Sequence, residues 1–300
     1  MNAVAHARRR SITALRGVAW SAWGDGLKRF TASRIATLGA IGALLVLLAA
    51  VLAPLIAPHD PLAMPDPIGL RAAAPSASHW LGTDAFSRDV LSRLVWGARV
   101  SLAVGLASAT LAVLIGGAVG LAAGLGGPLL DTLLMRAVDV LMALPRFFLL
   151  LAALALVEGA TTTVLVVLIA LTGWFQTSRL VRAHARTLLA SDWPRATVAL
   201  GGATRRLVRH LLPHVSATVI VSATLDVGGI ILLEAGLSFL GLGLAPPTPT
   251  WGNMIYEGRS LLFTAPWIAL TPGIALTLTV IAFNLLGDGL RDALDPRRRG

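Results

Sequence analysis

The residues able to do chemistry in this chain are few, and their positions matter more than their number. Arg146 follows Pro145 about nine residues into an apolar run, near the middle of a candidate membrane span, where an arginine costs about 2.5–3.5 kcal/mol to insert. Two readings stay open for it. Pro145 loosens the helix and frees a carbonyl that a guanidinium can bond, or the side chain faces a polar path, paired with Asp226 or Glu234 or drawn to a carboxylate-bearing solute. Asp226 and Glu234 are eight apart and so lie on roughly one face of the fifth apolar helix. They either line that path or its external gate, or form a structural hydrogen bond to the turn Leu237–Gly243. His210 and His214 are four apart, but Pro213 lies between them and no glutamate follows His210, so capping or packing is read here and no metal site is assigned.

Other chemistries find no support. No Gly-x-x-x-x-Gly-Lys-Ser/Thr loop is present and the only lysine is Lys28, so this chain does not cradle a nucleotide triphosphate by that route. No Gly-x-Ser-x-Gly or paired-carboxylate arrangement occurs in the external loops, and the absence of cysteine excludes disulfides and thiolate sites.

What must position these residues is a set of apolar helices around one polar loop, Ser191–His214. Asp192 is a good N-cap, Pro194 stands in the first turn, and Arg195–Leu200 continues as a helix that Gly201-Gly202 ends. Ala203–Leu212 makes a second helix, with Leu207, Leu211 and Leu212 on one side and Arg205, Arg206 and Arg209 on the other, and Pro213 is expected to close it. Helix, glycine elbow, helix is a device by which a membrane protein receives force from a soluble partner; the plainer alternative is a solvated basic loop whose Gly201 merely ends a helix.

The chain is 56% hydrophobic and only 13% charged, with a mean hydropathy of +0.77, which leaves too little polar surface for a soluble globule of 300 residues. It reads as an all-α polytopic membrane protein. The formal charge of +10 then encodes orientation rather than nucleic-acid binding. Basic residues crowd the N-terminal tail (residues 1–34), the loop 178–214 and the tail 289–300, whereas the stretch 57–98 carries only Arg71, Arg88 and Arg93. Both termini are therefore expected in the cytoplasm of a cell whose inner membrane the chain crosses, with membrane lipid around the spans. Six spans are predicted within 35–288: Ile35–Ile56 closed by Pro54, Val100–Leu125, Leu129–Val157 kinked at Pro145, Thr161–Thr177, a fifth from Pro213 to about Ala235, and Pro266–Gly287. The external segments are 57–98, whose Asp89–Trp96 leads amphipathically into the second span, and a turn at 236–265. Gly116, Gly120 and Gly124, at four-residue spacing, predict close approach of another helix to the second span.

Several stretches carry a resemblance. Asp192-Trp193, Arg195-Ala196-Thr197, Ala199-Leu200-Gly201 and His210-Leu211-Leu212-Pro213 resemble the EAA loop of ABC importer permeases, with Arg195-Ala196-Thr197 standing where Glu-Ala-Ala is usual. HWLGTDAFSRDVLSRLVWGARVSL, in which Ser87 replaces a more usual glycine, LSFLGLGLAPPTPTWGNM and AFNLLGDGLRDALDPRRR are similar to the dipeptide, oligopeptide and nickel branch of that family. The resemblance covers nearly everything from His79 to Arg299. It implies a type I ABC importer permease fold and a transport subunit that is not itself an enzyme. It also implies partners: a second homologous permease subunit, two ABC ATPase subunits that carry ATP and Mg, and an external solute-binding protein. On this reading Asp192, Arg195, Ala196, Ala199, Leu200, Gly201, Arg205 and Pro213 form the ATPase-coupling loop, with Ala196, Ala199 and Leu200 packing into a groove on the ATPase. Di- or oligopeptides are the leading solutes, with nickel chelates, glutathione or another small solute as rivals. A self-sufficient secondary transporter is the reading from a different class, and no internal repeat supports it.

Overall fold

The computed structural model describes residues 28–157, 161–191 and 204–294, with the side chains of 204–210, 213 and 214 left outside the description. Among the described residues the regular structure is helical, apart from one isolated bridge between Thr83 and Asp89. α1 is Arg34–Val51, started by Ser33, whose hydroxyl accepts from the Ala36 amide. It stops at Leu52, before the expected closure. Pro54 instead stands in the first turn of the short α2, Ala53–Ile56, where a missing amide hydrogen costs nothing.

α3, Val90–Leu125, joins the amphipathic lead-in and the second span into one helix of 36 residues, about 54 Å long at 1.5 Å per residue. That exceeds a hydrocarbon core of about 30 Å. Asp89 caps its start. Gly126 ends it, and Gly127, at φ +83°, starts α4, Gly127–Ala143.

The expected kink at Pro145 is a full break. Leu144 (ψ 133°) and Pro145 (ψ 127°) are both extended, the first because a proline ring disfavours helical geometry in the residue before it. α5, Arg146–Ala155, leaves this break bent by 85° from α4. The fourth span is broken as well: α6, Thr162–Leu171, and α7, Trp174–Leu189, meet at 43° across Thr172-Gly173.

α8, Thr204–Phe239, runs through Pro213, which therefore does not close a helix. A proline removes one amide donor, and where its neighbours keep theirs the helix continues. The stretch expected as a turn at 236–265 contains α9, Trp251–Gly258, followed by one tighter turn at Arg259–Leu261. Thr250 caps α9 through the Asn253 amide. α10 is Trp267–Leu294, with Pro272 inside it. Among the described residues four helices are each long and apolar enough to cross a membrane, and counting each bent pair as one span gives six.

Packing follows the small residues. Ala36, Gly39 and Ala43 of α1 are buried, and a Cβ on Gly39 would come within 2.5 Å of the Leu286 amide nitrogen, so the backbones of α1 and α10 nearly touch. Ile35, Leu38, Ile41 and Leu45 on the other side of α1 are exposed, as suits a surface facing lipid chains. The glycine row of α3 receives α7, the neighbour that the four-residue spacing predicts without naming. α8 packs between α3 and α10.

Candidate functional site

The two helix breaks meet at Arg146. In a continuous helix the Ile169 carbonyl would bond to the Gly173 amide, but that amide turns instead to Ala170, 3.1 Å away. The orphaned carbonyl accepts from Arg146 Nη2 at 3.0 Å and from Thr172 Oγ1 at 3.2 Å. Gly173 has to be glycine for this, since a Cβ there would stand 2.5 Å from Arg146 Nη2. The first residue of α5 is thus pinned to the joint between α6 and α7. A freed carbonyl does hold the guanidinium, but it belongs to the neighbouring broken span, not to the helix that Pro145 breaks. Arg146 Nε stays buried without a hydrogen-bond partner, and the half-buried Asp226 attracts the guanidinium across a gap, with no direct ion pair between them.

Glu234 lies further along α8 and is fully buried. It accepts from Ser238 Oγ at 2.8 Å and from Ser101 Oγ at 3.3 Å, and Ser101 Oγ in turn accepts from the Trp251 amide at 3.4 Å. One carboxylate therefore ties α3, α8 and the start of α9 together. Of its two partners, Ser238 lies in the Leu237–Gly243 turn considered in the sequence, and Ser101 lies outside it.

At the end of the bundle that carries 57–89 and α9, a buried ion network closes the structure. Asp84 pairs with Arg88 Nε at 2.6 Å and with Arg93. Arg88 Nη2 and Arg93 Nη1 each lie 2.6 Å from Glu257 Oε2 on α9. Two guanidinium groups face two carboxylates, which is how such groups tolerate burial. Ser87, inside this loop, adopts φ +64°, a left-handed conformation that favours glycine. At the opposite end, Asp131 of α4 holds Arg182 and Arg186 of α7, and Asp139 pairs with Arg179, so both ends of the α4–α7 contact are polar.

Residues 96–300 match the family of binding-protein-dependent transport system inner membrane components, and residues 21–75 match the N-terminal transmembrane domain of oligopeptide transport permease C. The first match covers more than half of the chain. The chain belongs to the binding-protein-dependent transport permeases. Among its relatives, the dipeptide transport system permease protein DppC of Alkalihalophilus pseudofirmus is 39% identical over 280 residues, covering 93% of this chain and 91% of the relative. A Brucella suis protein provisionally named as a peptide permease is 44% identical over 275 residues, 90% and 89% of the two chains. A permease of this kind is a multi-pass transport subunit of an ABC importer in the inner membrane, and it works with ATPase and binding-protein partners rather than as an enzyme.

Of the residues singled out in the sequence, the permease brings Arg146 and Asp226 within electrostatic reach and sets Glu234 apart, in the seam with α3. Asp192, Arg195, Ala196, Ala199, Leu200 and Gly201 lie outside the described residues, and Arg205 and Pro213 are described only as part of the α8 backbone. Sequence reasoning missed the Asp84–Arg88–Arg93–Glu257 network. Two arginines beside an aspartate, just ahead of an uncharged run, were the available sign, because such charges stay at a span's edge only with acidic partners.

Proposed function

We propose that this chain is one of two homologous permease subunits that together form the path for di- or oligopeptides in an ATP-driven importer, with two ATPase subunits docking on the loop 178–214. The observation that carries the solute assignment is that relatives covering about nine-tenths of both chains bear dipeptide and peptide permease names. Both termini lie in the cytoplasm and the segment 57–98 faces outward toward the solute-binding protein, a reading supported by the basic residues gathered in 1–34, 178–214 and 289–300. ATP and Mg act on the ATPase subunits, since this chain has no phosphate loop. Deleting the gene is expected to make cells resistant to a toxic peptide analogue, and unchanged sensitivity would sink the peptide assignment.

Gly201 supplies the elbow of the coupling loop. Gly201→Val is expected to leave the protein inserted and co-purifying with its ATPases while uptake falls about tenfold or more relative to ATP hydrolysis, because valine resists the turn geometry that glycine adopts freely. Normal uptake by the purified variant complex in proteoliposomes would remove Gly201 from that role.

Arg146 and Asp226 line the path, and Glu234 steadies its outer gate. What supports this is a guanidinium anchored by one nitrogen only, with Nε unpartnered and an acid nearby. The remaining donors suit a passing peptide carboxylate. Arg146→Gln should lower uptake of free-acid peptides about tenfold, the effect of losing one charged hydrogen bond, and spare amidated peptides. Arg146→Lys should retain part of the activity. Equal loss for both kinds of peptide would reduce Arg146 to the joint it pins.

A further inference from the structure

One cluster at the outer end has no part in this transport reading. The segment between α2 and α3 folds back on the first turn of α3 through His59, His79 and Asp89. His79 places Nδ1 2.9 Å from Asp89 Oδ1, and His59 places Nδ1 3.7 Å from the same oxygen. The two rings lie 4.7 Å apart, tilted by 32°. One donor atom from each of the three residues falls within 4.8 Å of the others.

We propose that His59, His79 and Asp89 bind a divalent transition-metal ion of the zinc class. Bond lengths of about 2.0–2.2 Å and tetrahedral angles require donor atoms about 3.3 Å apart, and the 2.9 and 3.7 Å separations straddle that value. Two imidazoles and a carboxylate suit zinc, cobalt, nickel or copper, and disfavour calcium and magnesium, which prefer all-oxygen shells.

The site is held in place before any ion arrives. Asp89 Oδ2 accepts from the Ser92 amide at 2.8 Å and from Ser92 Oγ at 2.7 Å, which aims Oδ1 at the two rings. Ser92 Oγ also accepts from the His59 amide at 3.1 Å, so a single serine fixes two ligand-bearing residues. Supporting bonds of this kind orient metal ligands. Burial provides the way in: the side chains of Asp89 and His79 are 1% and 9% exposed, and that of His59 is 42% exposed. An ion enters past His59 and keeps its fourth position open to solvent. On binding, the proton that His79 Nδ1 shares with Asp89 moves to Nε2, freeing the Nδ1 lone pair for the ion, and Asp89 Oδ1 exchanges a hydrogen bond for a metal bond. The ion then staples the 57–89 segment to the cap of α3.

The test titrates the full-length purified permease in nanodiscs with zinc chloride by calorimetry, and with cobalt chloride by visible absorption. One equivalent should bind, with a cobalt spectrum of low coordination number, while calcium does not compete. His59→Ala removes a side chain that is 42% exposed and leaves the backbone bond of residue 59 to Ser92 in place, and should weaken binding at least tenfold. His59→Cys puts a single thiol into a cysteine-free chain and should restore binding, with a thiolate-to-cobalt charge-transfer band that can arise only at this site. No stoichiometric zinc binding, equal binding by His59→Ala, or absence of that band overturns the proposal and leaves a hydrogen-bonded His79–Asp89 pair.

Discussion

Arg93→Leu is expected to destabilise the permease by about 3 kcal/mol or more and to deplete the folded protein in the membrane. Arg93 is 1% exposed, and among the described residues it is one of two guanidinium groups that hold Asp84 and Glu257. Removing it leaves both carboxylates on Arg88 alone, one negative charge buried in excess. Breaking a buried ion cluster from one side costs about 3–5 kcal/mol, and the surviving Arg88 contacts place this case at the lower end of that range. Against a total stability of about 5–15 kcal/mol, the loss is large. Arg93→Lys should be intermediate, because one ammonium cannot hold two carboxylates in the geometry of a planar fork. The double variant Arg93→Leu with Glu257→Leu should recover part of the loss, since it removes the uncompensated charge as well. Thermal unfolding of the solubilised protein measures all three, and an Arg93→Leu protein as stable as the parent would show that the network contributes nothing.

Gly120→Ile is expected to be as damaging for a different reason. A Cβ at Gly120 would stand 2.5 Å from the Ser178 carbonyl oxygen and 2.8 Å from the Val181 Cβ, so α3 and α7 would have to separate along their most extensive contact. Overpacking a well-filled core commonly costs about 1–3 kcal/mol, and backbone cannot yield as a flexible side chain does, so the upper end or beyond is expected here. Separation would also pull on Asp131, Arg182 and Arg186, which bridge α4 and α7. The chain contains its own control: Gly117 is three residues away on the same helix with nothing within 4 Å of a Cβ. Gly117→Ile should unfold close to the parental temperature. If the two variants behaved alike, helix propensity rather than close approach would explain the loss.

The contrast between these glycines shows what the sequence could convey. Composition and the uncharged runs made the helical membrane fold legible, and four-residue spacing marked Gly116, Gly120 and Gly124 as a contact face, because small residues in lipid have few other uses. The identity of the contacting helix depended on a chain turn that spacing does not encode. Pro145 announced a disturbance, but its depth was set by Leu144, which also went extended and turned a kink into an 85° break. Arg146 stood out as an intramembrane charge. Its acceptor was invisible, since the Ile169 carbonyl becomes free only because Gly173 bonds elsewhere. The Arg93–Glu257 pair joins residues 164 apart, a separation at which no local pattern operates. Asp192–Gly201 resembled a known loop, and the family reading rested on it together with the stretches His79–Leu102, Leu237–Met254 and Ala282–Arg299.

The contact between α1 and α10 joins the first span of the chain to the last, and that fixes an order of events during synthesis. A ribosome delivers residues from the N-terminus, so Ala36, Gly39 and Ala43 enter the bilayer long before Leu286 and Gly289 exist to cover them. Through most of translation the newborn chain therefore carries an open seam along its first helix, and only the closing residues zip it shut. A message broken anywhere before α10 yields a protein whose seam never closes, and an unsealed groove of alanine and glycine is the mark by which such a product differs from a finished permease.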